Sequence, residues 1–294
     1  MRTRLSIVIP HRNTPEKLLR LLDSIPESFL IDVVVVDDNS NPGREAHHLR
    51  PIYPNVRFFQ NPGPDHNAGS ARNHGLSQIH GEWVLFADAD DYFVNKGLET
   101  VLASVELANP ETEIVFFGVT SWNENEGRSG SRHESRLTQI DKFLKSREEI
   151  QLRYGWHPPW GKAIRVSLIN QFEIRFDSVI AGNDVMFSMW AGHHARKIEV
   201  ITSSIYCVTE SSSSLTSNLS PARALSRLDV LSRENKALIR LGIKKKLNYG
   251  LGYLIRSFGC LCINAQASTY ASYMSMCLMR IAIITRSALP TRDR

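Results

Sequence analysis

The first 120 residues alternate between short apolar runs and amphipathic stretches. Residues 5–9 (LSIVI) close on Pro10. Residues 31–36 (IDVVVV) are interrupted only by Asp32, and five of the six are β-branched. Runs of this length without polar alternation predict strands buried on both faces, as in a parallel sheet. Between them Leu18, Leu19, Leu21, Leu22 and Ile25 recur at helical spacing. Thr14 stands where it can cap that helix, Pro15 suits its first turn, and Glu16 suits its positive end. Strands are further predicted at 56–60, 83–87 and 114–119, with helices at 69–79 and 98–107. The alternation predicts βαβ units in an α/β fold, whose ligands bind beyond the carboxyl ends of the strands.

After residue 120 the pattern loosens. Residues 121–134 (SWNENEGRSGSRHE) are polar and predict a mobile loop, an aromatic knot fills 154–160 (YGWHPPW), and 209–220 predict a second, Ser-rich loop. From Pro221 onward the spacing is helical, as three helices broken near Gly250 and Gly252. This divides the chain into 1–120, 121–220 and 221–294, the first two as parts of one domain and the third as a helical extension. No internal repeat is visible.

Composition narrows the class. The 294 residues are 42% apolar and 22% charged, which excludes wholesale disorder. Cys207, Cys260, Cys262 and Cys277 form no CxxC pair, arguing against a zinc ribbon or a disulfide framework and for a reducing, cytoplasmic setting. The N-terminal apolar run is too short for a secretory leader. Residues 257–279 carry no charge but seven polar residues, unlike a spanning helix. The net charge of +5 is unevenly placed. Residues 221–294 hold 13 Lys/Arg against 3 Asp/Glu, leaving −5 for residues 1–220. A basic tail attracts anionic surfaces, or is simply a solvated helical face. No basic ribbon interleaved with aromatics appears, so nucleic acid is not an expected partner.

The candidate chemistry stands at strand ends. Asp37-Asp38-Asn39-Ser40 follows one apolar run and Asp88-Ala89-Asp90-Asp91 another. On a βαβ frame both would share one sheet edge. Uncompensated carboxylates repel, and a bound cation resolves the repulsion. Oxygen donors suit Mg²⁺ or Mn²⁺, which keep one or two protein carboxylates and take other ligands from phosphate and water. The competing reading is that such aspartates are turns or caps. Neither GxGxxG nor GxxxxGK[ST] follows a strand, which argues against dinucleotide and P-loop folds.

In this order and spacing, LSIVIPHRN, VVVVDDNSN, NAGSARNHGL and GEWVLFADADDYF resemble the inverting glycosyltransferases of family 2. The resemblance is strong over 5–120, looser to about Ser220, and does not include the tail. It implies a GT-A fold, a Rossmann-like mixed sheet flanked by helices. It also implies transfer of a hexosyl or N-acetylhexosaminyl group from a nucleotide-diphosphate sugar, UDP-linked by preference. The acceptor would be a hydroxyl of a glycan or lipid-linked glycan, in bacterial surface-polysaccharide synthesis. Pro10, His11 and Asn13 would line the nucleotide pocket and Asp38 would meet the uracil, whose imide N–H a carboxylate can accept. Asp88-Ala89-Asp90 would be the DxD motif, with Asp90 on the metal and Asp88 at the ribose or donor sugar. Arg72 would lie near the nucleotide, or else pair with a strand-end carboxylate.

Asp184 would be the catalytic base, the competing reading being a helix cap. Asn183 stands where the family often has Glu. Trp160 and Lys162 match a W-G-K element on the acceptor side, although a tryptophan there also reads as core. Lipid-linked acceptors imply docking on the inner face of the cell membrane. Arg223, Arg227, Arg233, Lys236, Arg240 and Lys244 to Lys246 are candidate contacts, and 253–284 the apolar part. The alternatives are a sugar-nucleotide nucleotidyltransferase, for which a Gly-rich N-terminal signature is missing, and a non-catalytic module binding nucleotide sugars or polyanions, which has no use for a base.

Overall fold

The computed structural model describes residues 3–64, 66–211 and 220–243. Four parallel strands, β1 (Leu5–His11), β2 (Ile31–Asp37), β3 (Val56–Gln60) and β4 (Trp83–Phe86), lie in the order β3-β2-β1-β4. All seven residues of β1 and the last five of β2 are buried, as unbroken apolar runs require. Asp32, the exception, accepts both nitrogens of Arg57 at 2.9 and 2.8 Å and the Ser6 hydroxyl at 2.9 Å. A charge inside a sheet is tolerated when paired in this way. The register runs from Leu5 opposite Ile31 to His11 opposite Asp37, so both chains leave the sheet together.

Helix α1 (Pro15–Asp23) joins β1 to β2 and buries Leu18, Leu21 and Leu22. Thr14 does not cap it. Its ψ of 56° departs from the extended conformation of a capping residue, and its side chain makes no capping bond. Helix α2 (Ala68–Leu76) is capped instead by a reciprocal box between Asn67 and Ser70.

The rest of the sheet comes from later in the chain. The remaining strands are β5 (Tyr92–Phe93), β6 (Thr112–Asn123), β7 (Arg128–Ser129), β8 (Lys162–Arg165) and β9 (Lys197–Glu210). Strand β8 runs antiparallel between β4 and β6, and β6 pairs in parallel with β9. Residues 121–134 are therefore no loop. Strand β6 continues through Trp122 and Asn123 and turns back into β7, and a helix starts at Glu134. Polar side chains mark them as a sheet margin rather than as unstructured. Likewise Thr209 and Glu210 end β9, and 212–219 lie outside the described residues.

The helices after α2 are α3 (Gly97–Leu107), α4 (Glu134–Ser146), α5 (Ile150–Gly155), α6 (Val166–Gln171), α7 (Val185–His194) and α8 (Pro221–Arg240). Phe86 of β4 and Phe187 of α7 sit edge to face at 5.4 Å, and Phe176 stacks on Phe187 at 3.8 Å. This aromatic packing holds the start of α7 against the carboxyl end of β4. Only the first predicted helix of the extension, α8, falls among the described residues. The breaks at Gly250 and Gly252 and the stretch 253–284 lie outside them. No described helix is long and apolar enough to cross a membrane.

Candidate active site

The carboxyl ends of β1 and β2 form the first wall. Asp37 and Asp38 are adjacent in sequence but have different surroundings. The Asp37 carboxylate is buried and accepts the N–H groups of Ser40 and Ala46, each at 2.8 Å, and meets His11 Nδ1 at 3.0 Å. Burial pushes its pKa upward, but these hydrogen bonds win and hold it at about 2. His11 is itself buried beside Pro10, and its Nε2 accepts the Thr14 N–H at 3.2 Å. His11 thus braces the turn from beneath. Asn13, at φ 61°, accepts the Asn41 N–H on its side chain at 2.6 Å and donates its own N–H to Ser40 at 2.8 Å, tying the two strand-end loops together. Asp38 is buried as well, but on other partners. Its Oδ1 accepts the Asn61 amide at 2.8 Å, and Arg12 and His66 stand 4.0 and 3.9 Å away.

The end of β4 forms the second wall. Asp88 donates its N–H to the Tyr206 hydroxyl at 2.8 Å. The carbonyl of Asp90 accepts from Arg20 and from Thr209. Asp91 is buried, accepts the Thr209 N–H at 2.7 Å and is bonded by the Tyr206 hydroxyl. Burial, then repulsion from Asp88, raises the Asp90 pKa. Asp91 is raised further, by burial and by Asp90 and Asp88. Three carboxyl groups stand close together, Asp88 being paired with Arg72, and a divalent cation would further relieve their repulsion. As an all-oxygen donor set, Asp88 and Asp90 fit Mg²⁺ or Mn²⁺. Among the described residues no group of three or more His, Cys, Asp or Glu is arranged around a metal position.

Helix α2 joins these walls to a third. Ser70 accepts the Asn61 amide at 2.9 Å. Two residues on, Arg72, only 5% exposed, donates to Asp88 at 2.5 Å and to the Asn183 side chain at 2.9 Å. The second reading of Arg72, a partner for a strand-end carboxylate, is thus the arrangement seen. Asp184 follows Asn183 at the N-cap position of α7, but its side chain makes no capping bond. It is half-buried, and its charge favours the protonated forms of Arg136 and Lys162. Asp38, Asp88 and Asp184 are therefore linked through α2.

Trp160 and Lys162 sit deeper than a sugar-contacting pair would. Trp160 is 5% exposed and stacks on Tyr206 at 6.0 Å, and Lys162 is 2% exposed. His193 and His194 belong to an aromatic group with Phe172 and Trp190, where His194 stacks on Phe172 at 3.9 Å. Sequence reasoning missed Asn61, Ser70, Tyr206 and Thr209. Asn61 had a signal, being the first residue beyond the third parallel strand. Tyr206 and Thr209 had none, because β9 was not predicted.

A parallel half-sheet carrying Asp38 and the Asp88–Asp90 pair, continued by an inserted antiparallel strand and α7, is the GT-A arrangement. The family model "Glycosyl transferase family 2" matches residues 6–165, more than half of the chain. The protein belongs to glycosyltransferase family 2. It is 24% identical over 216 residues to glycosyltransferase GlyA of Streptococcus pneumoniae, covering 69% of this chain and 30% of that one. It is 30% identical over 131 residues to the poly(ribitol-phosphate) beta-N-acetylglucosaminyltransferase TarP of Staphylococcus aureus, covering 43% and 39%. The chain thus spans about a third of the length of these relatives. Its fold is similar to S. aureus TarS 1–349 in complex with UDP-GlcNAc, with TM-score 0.62, 24% identity and coverage of 79% and 66%. It is also similar to the mannosyltransferase PcManGT from Pyrobaculum calidifontis in complex with GDP-Man and Mn²⁺, with TM-score 0.56, 15% identity and coverage of 98% and 86%.

Proposed function

We propose that the protein transfers a hexosyl or N-acetylhexosaminyl group from a UDP-sugar to a hydroxyl of a glycan or lipid-linked glycan, with inversion, in bacterial surface-polysaccharide synthesis. The observation that carries this reading is Arg72, which bonds Asp88 and Asn183 at once and so couples the donor rim to the segment bearing Asp184. The names of relatives support the substrate class. TarP acts on poly(ribitol-phosphate), and a Campylobacter jejuni relative is named as a glucosyltransferase acting on an undecaprenol-linked glycan.

Asp38 accepts the imide N–H of uracil, and Asp88 faces the ribose or donor sugar. Asp90, with Asp88 beside it, would hold Mg²⁺ or Mn²⁺, which when bound would supply neutralising charge to the diphosphate leaving group. Asp184 takes the proton of the acceptor hydroxyl. The new C–O bond forms at the anomeric carbon as its bond to the diphosphate breaks, and UDP departs. One displacement inverts the carbon. Asp184 together with Asp88 and Asp90 favours this reading over a non-catalytic module, which has no use for a base.

A thermal-shift screen of UDP- and GDP-sugars with and without Mn²⁺ tests the donor. A UDP-sugar should raise the Tm in a metal-dependent way, by about 2.7 kcal/mol of stability at a hundred times its Kd. Asp90→Ala should erase the metal-dependent part. Equal shifts with EDTA, or in Asp90→Ala, would contradict the metal role. A preference for GDP-sugars would correct the nucleotide.

A further inference from the structure

Lys162 opens β8 with its ammonium almost wholly buried, and such a charge must be given partners. Nζ donates to the Trp156 carbonyl at 2.8 Å and to Ser188 Oγ at 2.9 Å. Ser188 lies one turn into α7 from Asp184 and donates its N–H to the Asp184 carbonyl at 3.0 Å. Its hydroxyl passes on to the His157 carbonyl at 2.6 Å. The His157 ring meets Glu234 of α8 at 2.8 Å. Glu234 is 1% exposed, and its other oxygen has no hydrogen-bond partner. A polar chain thus runs from β8 through α7 to α8, one helical turn from Asp184.

Helix α8 grips the same segment elsewhere. Ser226 bonds both the N–H and the carbonyl of Ala181, at 3.3 and 2.9 Å. Val230 lies 3.6 Å from the Cβ position of Gly182. Arg233 pairs with Asp177, whose N–H donates to the Asn183 carbonyl at 3.1 Å. Ser226, Val230 and Arg233 form one helical stripe along 177–182, and Glu234 beside it reaches His157. Both α8 and the segment 177–184 lie outside the residues 6–165 that the family model matches.

We propose that Lys162 and Glu234 are positioning residues for Asp184, acting through Ser188 and His157, so that α8 is part of the catalytic unit. The inference rests on Asp184 being the base. The charged and titratable groups around the chain are Asp184 on α7, Arg136 on α4, His157 in the loop before β8 and Glu234 on α8. Burial, opposed by Asp184 and aided by Arg136, brings the Lys162 pKa down to about 7.

The test is the pH profile of kcat for UDP release from the UDP-sugar that stabilises the protein most, with water as acceptor. Lys162→Met should lower kcat about tenfold while the donor KM stays within about twofold, as expected when a reacting group is misplaced. Its acid limb should move up, because a buried cation beside the site is lost. Glu234→Gln keeps the shape of its side chain and should move the same limb down. A purely structural role predicts a lower Tm in both variants with kcat and the limb unmoved, and that result overturns the proposal. Should Lys162→Met not fold, Glu234→Gln carries the test. If Asp184→Asn retains full turnover, the base reading itself fails. If Asp184→Asn is inactive while both variants behave as wild type, only the positioning role fails.

Discussion

Asp37 and Asp38 are one dipeptide with two sets of partners. Nothing in the letters DD says which carboxylate is structural. The strand's two-residue alternation and the turn that follows decide it, by aiming Asp37 at the N–H groups of Ser40 and Ala46. Because its pKa falls from 3.8 to about 2, Asp37 stabilises the fold fully above pH 4 and loses that contribution as pH falls from about 4 to 2. The drop is worth about 2 kcal/mol. Asp37→Asn should therefore lose about that much in urea unfolding at pH 7, and the gap to wild type should close by pH 2. A gap independent of pH would show that shape, not charge, matters at this position. The acidic strand ends were legible in the sequence as a site. The division of labour within them was not, since it depends on backbone direction at single residues.

At the scale of elements, the parallel strands were legible because each is an unbroken apolar run, and all four appear within a residue or two of their expected ends. The inserted β8 and the long β9 were not. Strand β9 mixes Thr202, Ser203 and Ser204 into its middle, where the register against β6 slips, and β8 has only four residues. Both are defined by partners distant in sequence. Helix α7 shows how close packing sets the site. A methyl group on Gly192 would lie 2.0 Å from the Arg153 carbonyl oxygen of α5. The Arg153 guanidinium in turn donates to the carbonyls of Gly192 and Ala195 at 2.7 and 2.5 Å, capping the negative end of the helix. Gly192→Ala should cost about 1–3 kcal/mol by overpacking. A lowered urea midpoint at unchanged slope checks this, and an unchanged midpoint would mean that α5 and α7 yield freely.

For the whole molecule, the sequence separated an acidic catalytic part from a basic tail, and the fold qualifies that separation. Arg233 is held by Asp177 at 2.9 Å and by Asp229 at 3.3 Å, so it serves α8 packing rather than a surface. Lys236 and Arg240 are exposed on the last turns of α8, while Lys244 to Lys246 lie outside the described residues. If the tail docks on a membrane, each basic residue near anionic lipid adds about 1 kcal/mol. The protein should then sediment with phosphatidylglycerol vesicles at low salt and be released near 1 M salt, where charges are screened beyond about 3 Å. No sedimentation at either salt would remove the membrane from the account.

The account stands on Asp184 acting as base beside a donor held by Asp38, Asp88 and Asp90. The most direct measurement is turnover and UDP-sugar affinity of Asp184→Asn, made side by side on one preparation. General-base catalysis is worth about 10²–10⁴ in rate, so kcat should fall by that factor while donor affinity stays that of the wild type. Undiminished kcat, or loss of donor binding in step with kcat, would contradict it.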